Sequence, residues 1–145
     1  MDFTHDPEMI TSYLSMVKRD WNRAQNNFAE LTKHWEGLGA DYFPGVSLNR
    51  STDGTTLSGD VLGKQFSVEI VPLAFESSCF AQVLVKVKSS EFFFEAARFL
   101  LNRRGQVVDS DGAVLVDTEA GEGSARVYTS IIRTIASQSA PILSA

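Results

Sequence analysis

Residues 10–35 carry a stripe of apolar side chains whose spacing limits what the chain can become. Ile10, Leu14, Val17, Trp21, Ala24, Phe28, Leu31 and Trp35 follow one another in steps of 4, 3, 4, 3, 4, 3 and 4. Steps of that kind keep every member on one side of an α-helix. Ahead of the stripe, Asp6 and Pro7 supply a capping carboxylate and a proline at the first helical position. After it, Gly37 and Gly39 supply a stop. The pattern predicts a helix over about residues 7–36, roughly 45 Å long at 1.5 Å per residue.

The 4-3 spacing is that of a coiled coil, but the residue types favour another use. With Leu14 at an a position, Trp21, Phe28 and Trp35 fall on the following a sites, where a narrow two-stranded seam prefers β-branched residues. The flanking positions hold Lys18, Gln25 and Thr32 on one side and Asp20, Asn27 and His34 on the other, without the Glu/Lys alternation that sets pairing. Flat rings suit the broad surface of a sheet, so the helix is expected to lie across a sheet of its own chain. A strand of eight residues spans only about 27 Å, so one end of the helix should overhang. That end carries either Met9, Ile10 and Tyr13 or Phe28, Leu31 and Trp35. Covering it in a homodimer is the expectation, with Trp21, Phe28, Leu31, Trp35 and Phe93 as candidate contacts with a twin or a partner.

Beyond ADYFPG the texture changes to short apolar runs broken by turn residues at Asp53-Gly54, Leu62-Gly63, Ser77-Ser78, Arg104-Gly105 and Asp111-Gly112. VSLNR, TLSGDVL, FSVEIVPLAF and FAQVLVKV read as strands of an antiparallel meander. In the third, Phe66, Val68 and Ile70 alternate with Ser67 and Glu69, and Pro72 points to an edge position or a bulge. Residues 91–103 read either as a helix capped by Ser90 or as strand, with the strand reading favoured from Ala97 onward. SARVYTSIIRTIASQSA, with Val127, Ile131 and Ile135 at four-residue intervals, predicts a second helix over about 124–138, capped by Ser124. Residues 139–145 are expected to fray. The fold class is α+β: a long N-terminal helix, about six antiparallel strands over 46–117 and a C-terminal helix, both helices on one face of the sheet, in one domain over 1–145.

A net charge of -5 argues against a nucleic-acid binder, which needs a basic patch strong enough to release phosphate counterions. Arg103 and Arg104, with Lys86, Lys88 and Arg98 before them, read as a solvated face. One cysteine, Cys79, allows no internal disulfide. No apolar run approaches the roughly 20 residues that span a bilayer, and MDFTHDPEM does not read as a signal peptide. A cytoplasmic protein without membrane contact is expected.

Motifs for chemistry are thin. Cys79 with His34 or His5 is the one conceivable nucleophile–base pair, and two histidines in the chain make it a coincidence of composition. Zinc lacks the four Cys/His ligands it needs. DSDG at Asp109–Gly112 has its glycine too early for a calcium loop and reads as a turn. GEGSA could cradle an anion, but Glu119 and Glu122 would repel it. Asp60 and Glu69 are a pair that any acidic protein offers. Phe92, Phe93 and Phe94 must place a ring on each side of a strand, so one is expected exposed or lining a cavity. No catalytic, cofactor or metal residues are assigned. The reading is a non-enzymatic protein-binding module with the physique of the small acidic chaperones and neutralising partners that bacteria keep for exported proteins. The alternative is a small-ligand carrier or enzyme with an apolar cavity between sheet and helix.

Overall fold

A computed structural model describes residues 1–76 and 78–139. The expected tail lies outside the described residues from position 140 on. A 3-10 turn, Pro7–Met9, opens the chain, with the Asp6 carboxylate accepting the Glu8 amide at 3.0 Å. Helix α1 follows over Ile10–Tyr42, then strands β1 (Val46–Arg50), β2 (Thr56–Val61), β3 (Lys64–Phe75), β4 (Ser78–Ser89), β5 (Phe92–Leu101), β6 (Gln106–Val108) and β7 (Val114–Asp117), and helix α2 (Gly123–Ala136). The strands form one antiparallel sheet in the order β1-β2-β3-β4-β5-β6-β7, a meander curled into a half-barrel.

Helix α1 does not stop at its glycines. A Cβ on Gly39 would lie 2.5 Å from Leu48 Cδ1 and 3.1 Å from the Tyr128 hydroxyl. The glycine is there to let β1 and α2 approach, and the helix runs on to Tyr42. The sheet has seven strands, in line with the about six expected, and the strand expected from Ala97 onward begins already at Phe92, so FFFEAARFLL is strand throughout. Ser90, at φ 58°, belongs to the β4–β5 turn and caps no helix. Ala96 is the extra residue of a bulge, since Ala97 pairs with Val85 and Glu95 with Lys86. Ser124 lies inside the first turn of α2 and is not its cap.

Both helices fill the concave face. Phe66 and Val68 of β3, Ala81, Val83, Val85 and Val87 of β4, and Leu101 of β5 meet Ala24, Phe28, Leu31 and Trp35 of α1 and Val127, Tyr128, Ile131 and Ile135 of α2 in one cluster. Burial of each large member contributes about 1.5–3 kcal/mol. At its centre Trp35 stacks on Tyr128 with centroids 6.1 Å apart, Phe28 meets Trp35 edge-on at 6.0 Å, and Phe43 meets Tyr128 edge-on at 4.8 Å. Aromatic rings therefore occupy the space between sheet and helices.

Candidate docking surface

Strand β3 outruns its neighbour. Its pairing with β2 ends at Glu69, opposite Thr56, whereas its pairing with β4 continues to Phe75, opposite Ser78. Residues Ile70–Phe75 and the start of β4 form an arm with a free edge on the β2 side. The Val61–Lys64 pair closes a two-residue turn with Leu62 and Gly63 both at positive φ, as type I′ hairpins require. That turn aims the backbone groups of even-numbered β3 residues at β2. Pro72 shares their parity, so the position without an N–H lies on the free edge, where it blunts further strand addition. The edge expectation for Pro72 agrees with this geometry.

Alternation along β3 sends Phe66, Val68 and Ile70 inward and the odd residues outward. Outward positions are Ser67 and Glu69 over the body of the sheet, then Val71, Leu73 and Phe75 on the arm, which are 37%, 40% and 63% exposed. Leu73 pairs with half-buried Phe80, and Val71 with Gln82, which has half-buried Leu100 on its far side. No described helix covers this row, because both helices lie on the other face. Ion pairs border it: Lys86 with Glu69, and Arg98 with Glu95. The Arg98 hydrogen bonds hold the Glu95 carboxyl below its usual range. Among the described residues the patch is uncovered, apolar and charged at its border, the usual makeup of a docking surface. Its signal is visible in the sequence as the switch of outward residues from Ser67 and Glu69 to Val71, Leu73 and Phe75, a switch that the single cue of Pro72 obscured.

The expected contact residues fall elsewhere. Phe28, Leu31 and Trp35 are enclosed by their own core and Trp21 is half-buried, so the first three have no surface to offer. Phe93 is 49% exposed, opposite Lys88 at the far end of the sheet from the arm. Of its neighbours, Phe94 packs against the core and Phe92 is exposed. The end of α1 that overhangs is the N-terminal one: Met9, Ile10, Tyr13, Leu14 and Met16 are exposed. Between this end and Glu76 at the tip of the arm lies a half-open groove of about 910 Å³, floored by Met9, Ile10, Tyr13 and Met16.

The candidate nucleophile and bases have other partners. The Cys79 amide donates to Asp20 Oδ2 at 3.3 Å, and burial pushes the thiol up from its ordinary value. Neither histidine is among its polar partners. His34 Nδ1 instead lies 2.7 Å from Ser124 Oγ, which also accepts from the Trp35 indole at 3.2 Å. Sequence reasoning missed this pair, whose members stand 90 positions apart with no motif around either. A nucleophile–base pair is commonly completed by a third group that orients the base, and among the described residues His34 has Ser124 as its hydrogen-bond partner. The contact ties α2 to α1. Asp109 spends its carboxylate on the Asp111 and Ala113 amides, both at 2.9 Å, confirming a turn. Asp60 pairs with Gln65 at one end of β2 and Glu69 with Thr56 at the other, which separates those carboxylates. Among the described residues no cluster of three metal-ligating side chains occurs, and no helix is long and apolar enough to cross a membrane.

These features define an α+β half-barrel with its helices inside and an apolar arm that no described element covers outside. No protein-family model, no curated protein and no solved structure matches the chain.

Proposed function

We propose that the chain is a non-enzymatic protein-binding module that seats another protein on the outer face of the β3–β4 arm. One observation carries the reading: the row Val71, Leu73 and Phe75 alternates outward with no described element of the chain over it. Apolar side chains at a charged border favour a protein partner over a solvated end. The acidic balance, at -5, and the small size fit a chaperone-like or neutralising partner of another protein, held in the cytoplasm. The alternative, a ligand cavity between sheet and helix, has the Trp35–Tyr128 stack against it.

The reading is tested by capture from a lysate of the native host with the tagged protein and its Leu73→Asp/Phe75→Asp variant. Both residues are at least 40% exposed, so the variant should keep its melting temperature. One protein in fixed ratio is expected with the wild type and absent with the variant. Nothing retained by the wild type, or equal retention by both, contradicts the reading.

A further inference from the structure

Arg19 and Arg23 stand four residues apart on α1, with Asp20 three residues before Arg23 and Asn27 four after it, so all four share one face beside the buried stripe. That face fronts the β5–β6 loop. Asn27 Nδ2 donates to the Arg103 carbonyl at 2.8 Å, and Arg103 Nη1 lies 3.5 Å from Asp20 Oδ1. The loop is thus pinned to the helix through its backbone and through a side chain. Between them lies a half-open pocket of about 420 Å³ lined by Met16, Arg19, Asp20, Arg23, Ser78 and Arg103. Arg104 lines an adjoining pocket of about 170 Å³ that shares Asp20, Ser78 and Arg103 with it.

Charge identifies the kind of ligand that suits the pocket. Three guanidinium groups line it against one carboxylate, an excess of two positive charges in a protein whose net charge is -5. Asp20 has both oxygens engaged, one by Arg103 and the other by the Cys79 amide. Elsewhere on the surface Lys86, Arg98 and Arg126 each face a carboxylate of their own. Among the described residues no carboxylate pairs with Arg19 or Arg23. One helical turn apart, those two repel each other, and an anion held between them relieves the repulsion.

We propose that this pocket binds a phosphate dianion, free or as the monoester of a small molecule. A guanidinium presents a planar fork that meets two phosphate oxygens at once. The charge of a phosphomonoester at neutral pH, about -1.5 to -2, matches the excess that Arg19, Arg23 and Arg103 hold over Asp20. None of Val71, Leu73 and Phe75 lines the pocket, so this proposal and the reading of the arm can fail separately.

Isothermal titration calorimetry with inorganic phosphate and with phenyl phosphate tests it, in about 0.15 M sodium chloride so that distant charges are screened. Saturable binding at one site per chain is expected. Arg19→Gln/Arg23→Gln should weaken it by about tenfold or more; both side chains are exposed, so the variant should keep its melting temperature. Arg23→Lys, which keeps the charge but not the fork, should weaken it several-fold. Lys18→Gln/Lys33→Gln changes the net charge equally without touching the pocket and should bind like the wild type. Tighter binding of phenyl phosphate assigns the site to esters, and equal binding of both assigns it to the free anion. No saturable binding of either by the wild type, an unchanged affinity in Arg19→Gln/Arg23→Gln, or an equal loss in the lysine variant overturns the proposal.

Discussion

Asp20 and Arg103 meet at 3.5 Å where α1 leaves the sheet, and the other oxygen of the same carboxylate accepts the Cys79 amide at 3.3 Å. One side chain thereby joins the helix to the start of β4 and to the β5–β6 loop. Arg103 is half exposed, so solvent screens the ion pair; the buried amide matters more. Asp20→Ala leaves that N–H without its partner and should cost about 1–3 kcal/mol. Urea denaturation measures this, and Asp20→Asn, which keeps an acceptor, should recover part of the loss.

The Tyr128 hydroxyl is buried without a hydrogen-bond partner among the described residues, and burial pushes its pKa up to about 12. Below the unfolded value near 10 both states keep the proton, so this group adds no pH dependence. As pH rises through about 10 the unfolded chain releases it while the folded chain holds it. Stability is therefore lost from about pH 10 up to about 12, in total by about 2–3 kcal/mol from this residue. Tyr128→Phe should be neutral or slightly stabilising at pH 7. Across the alkaline window it should lose less stability than the wild type, as denaturation at pH 9 and 11.5 measures; equal losses would refute the assignment.

Leu62 stands at φ 52° in the β2–β3 turn, with Gly63 after it at φ 86°, and is 78% exposed. A left-handed conformation costs an ordinary residue about 1–2 kcal/mol, and Asn accepts it more readily. Leu62→Asn should stabilise the protein by about 0.5–1 kcal/mol, since little buried surface is given up. Thermal unfolding followed by circular dichroism checks it.

How far the sequence carried these results depends on the range of each interaction. The α1 stripe, the turns and the inward alternation of Phe66, Val68 and Ile70 were legible because periodicity is local. Gly39 read as a stop because its reason, clearance for Leu48 and Tyr128, is tertiary. Phe92–Phe94 fit helix or strand equally until pairing with β4 decided between them. The length mismatch between helix and sheet was legible, but which end overhangs was not: that depends on Asp20 reaching Cys79 and on Trp35 reaching the Ser124 carbonyl at 3.0 Å. The outward switch to Val71, Leu73 and Phe75 was local but obscured by Pro72, whereas the free edge of the arm follows from β2 ending sooner than β3, which is a matter of pairing.

The central claim is that the outer face of the β3–β4 arm, where Val71, Leu73 and Phe75 are exposed, seats another protein. Capture from a lysate of the native host, with the tagged wild type beside its Leu73→Asp/Phe75→Asp variant at matched melting temperature, tests it most directly. The account predicts one protein in fixed ratio with the wild type and none with the variant. Nothing retained by the wild type, or equal retention by both, would contradict it.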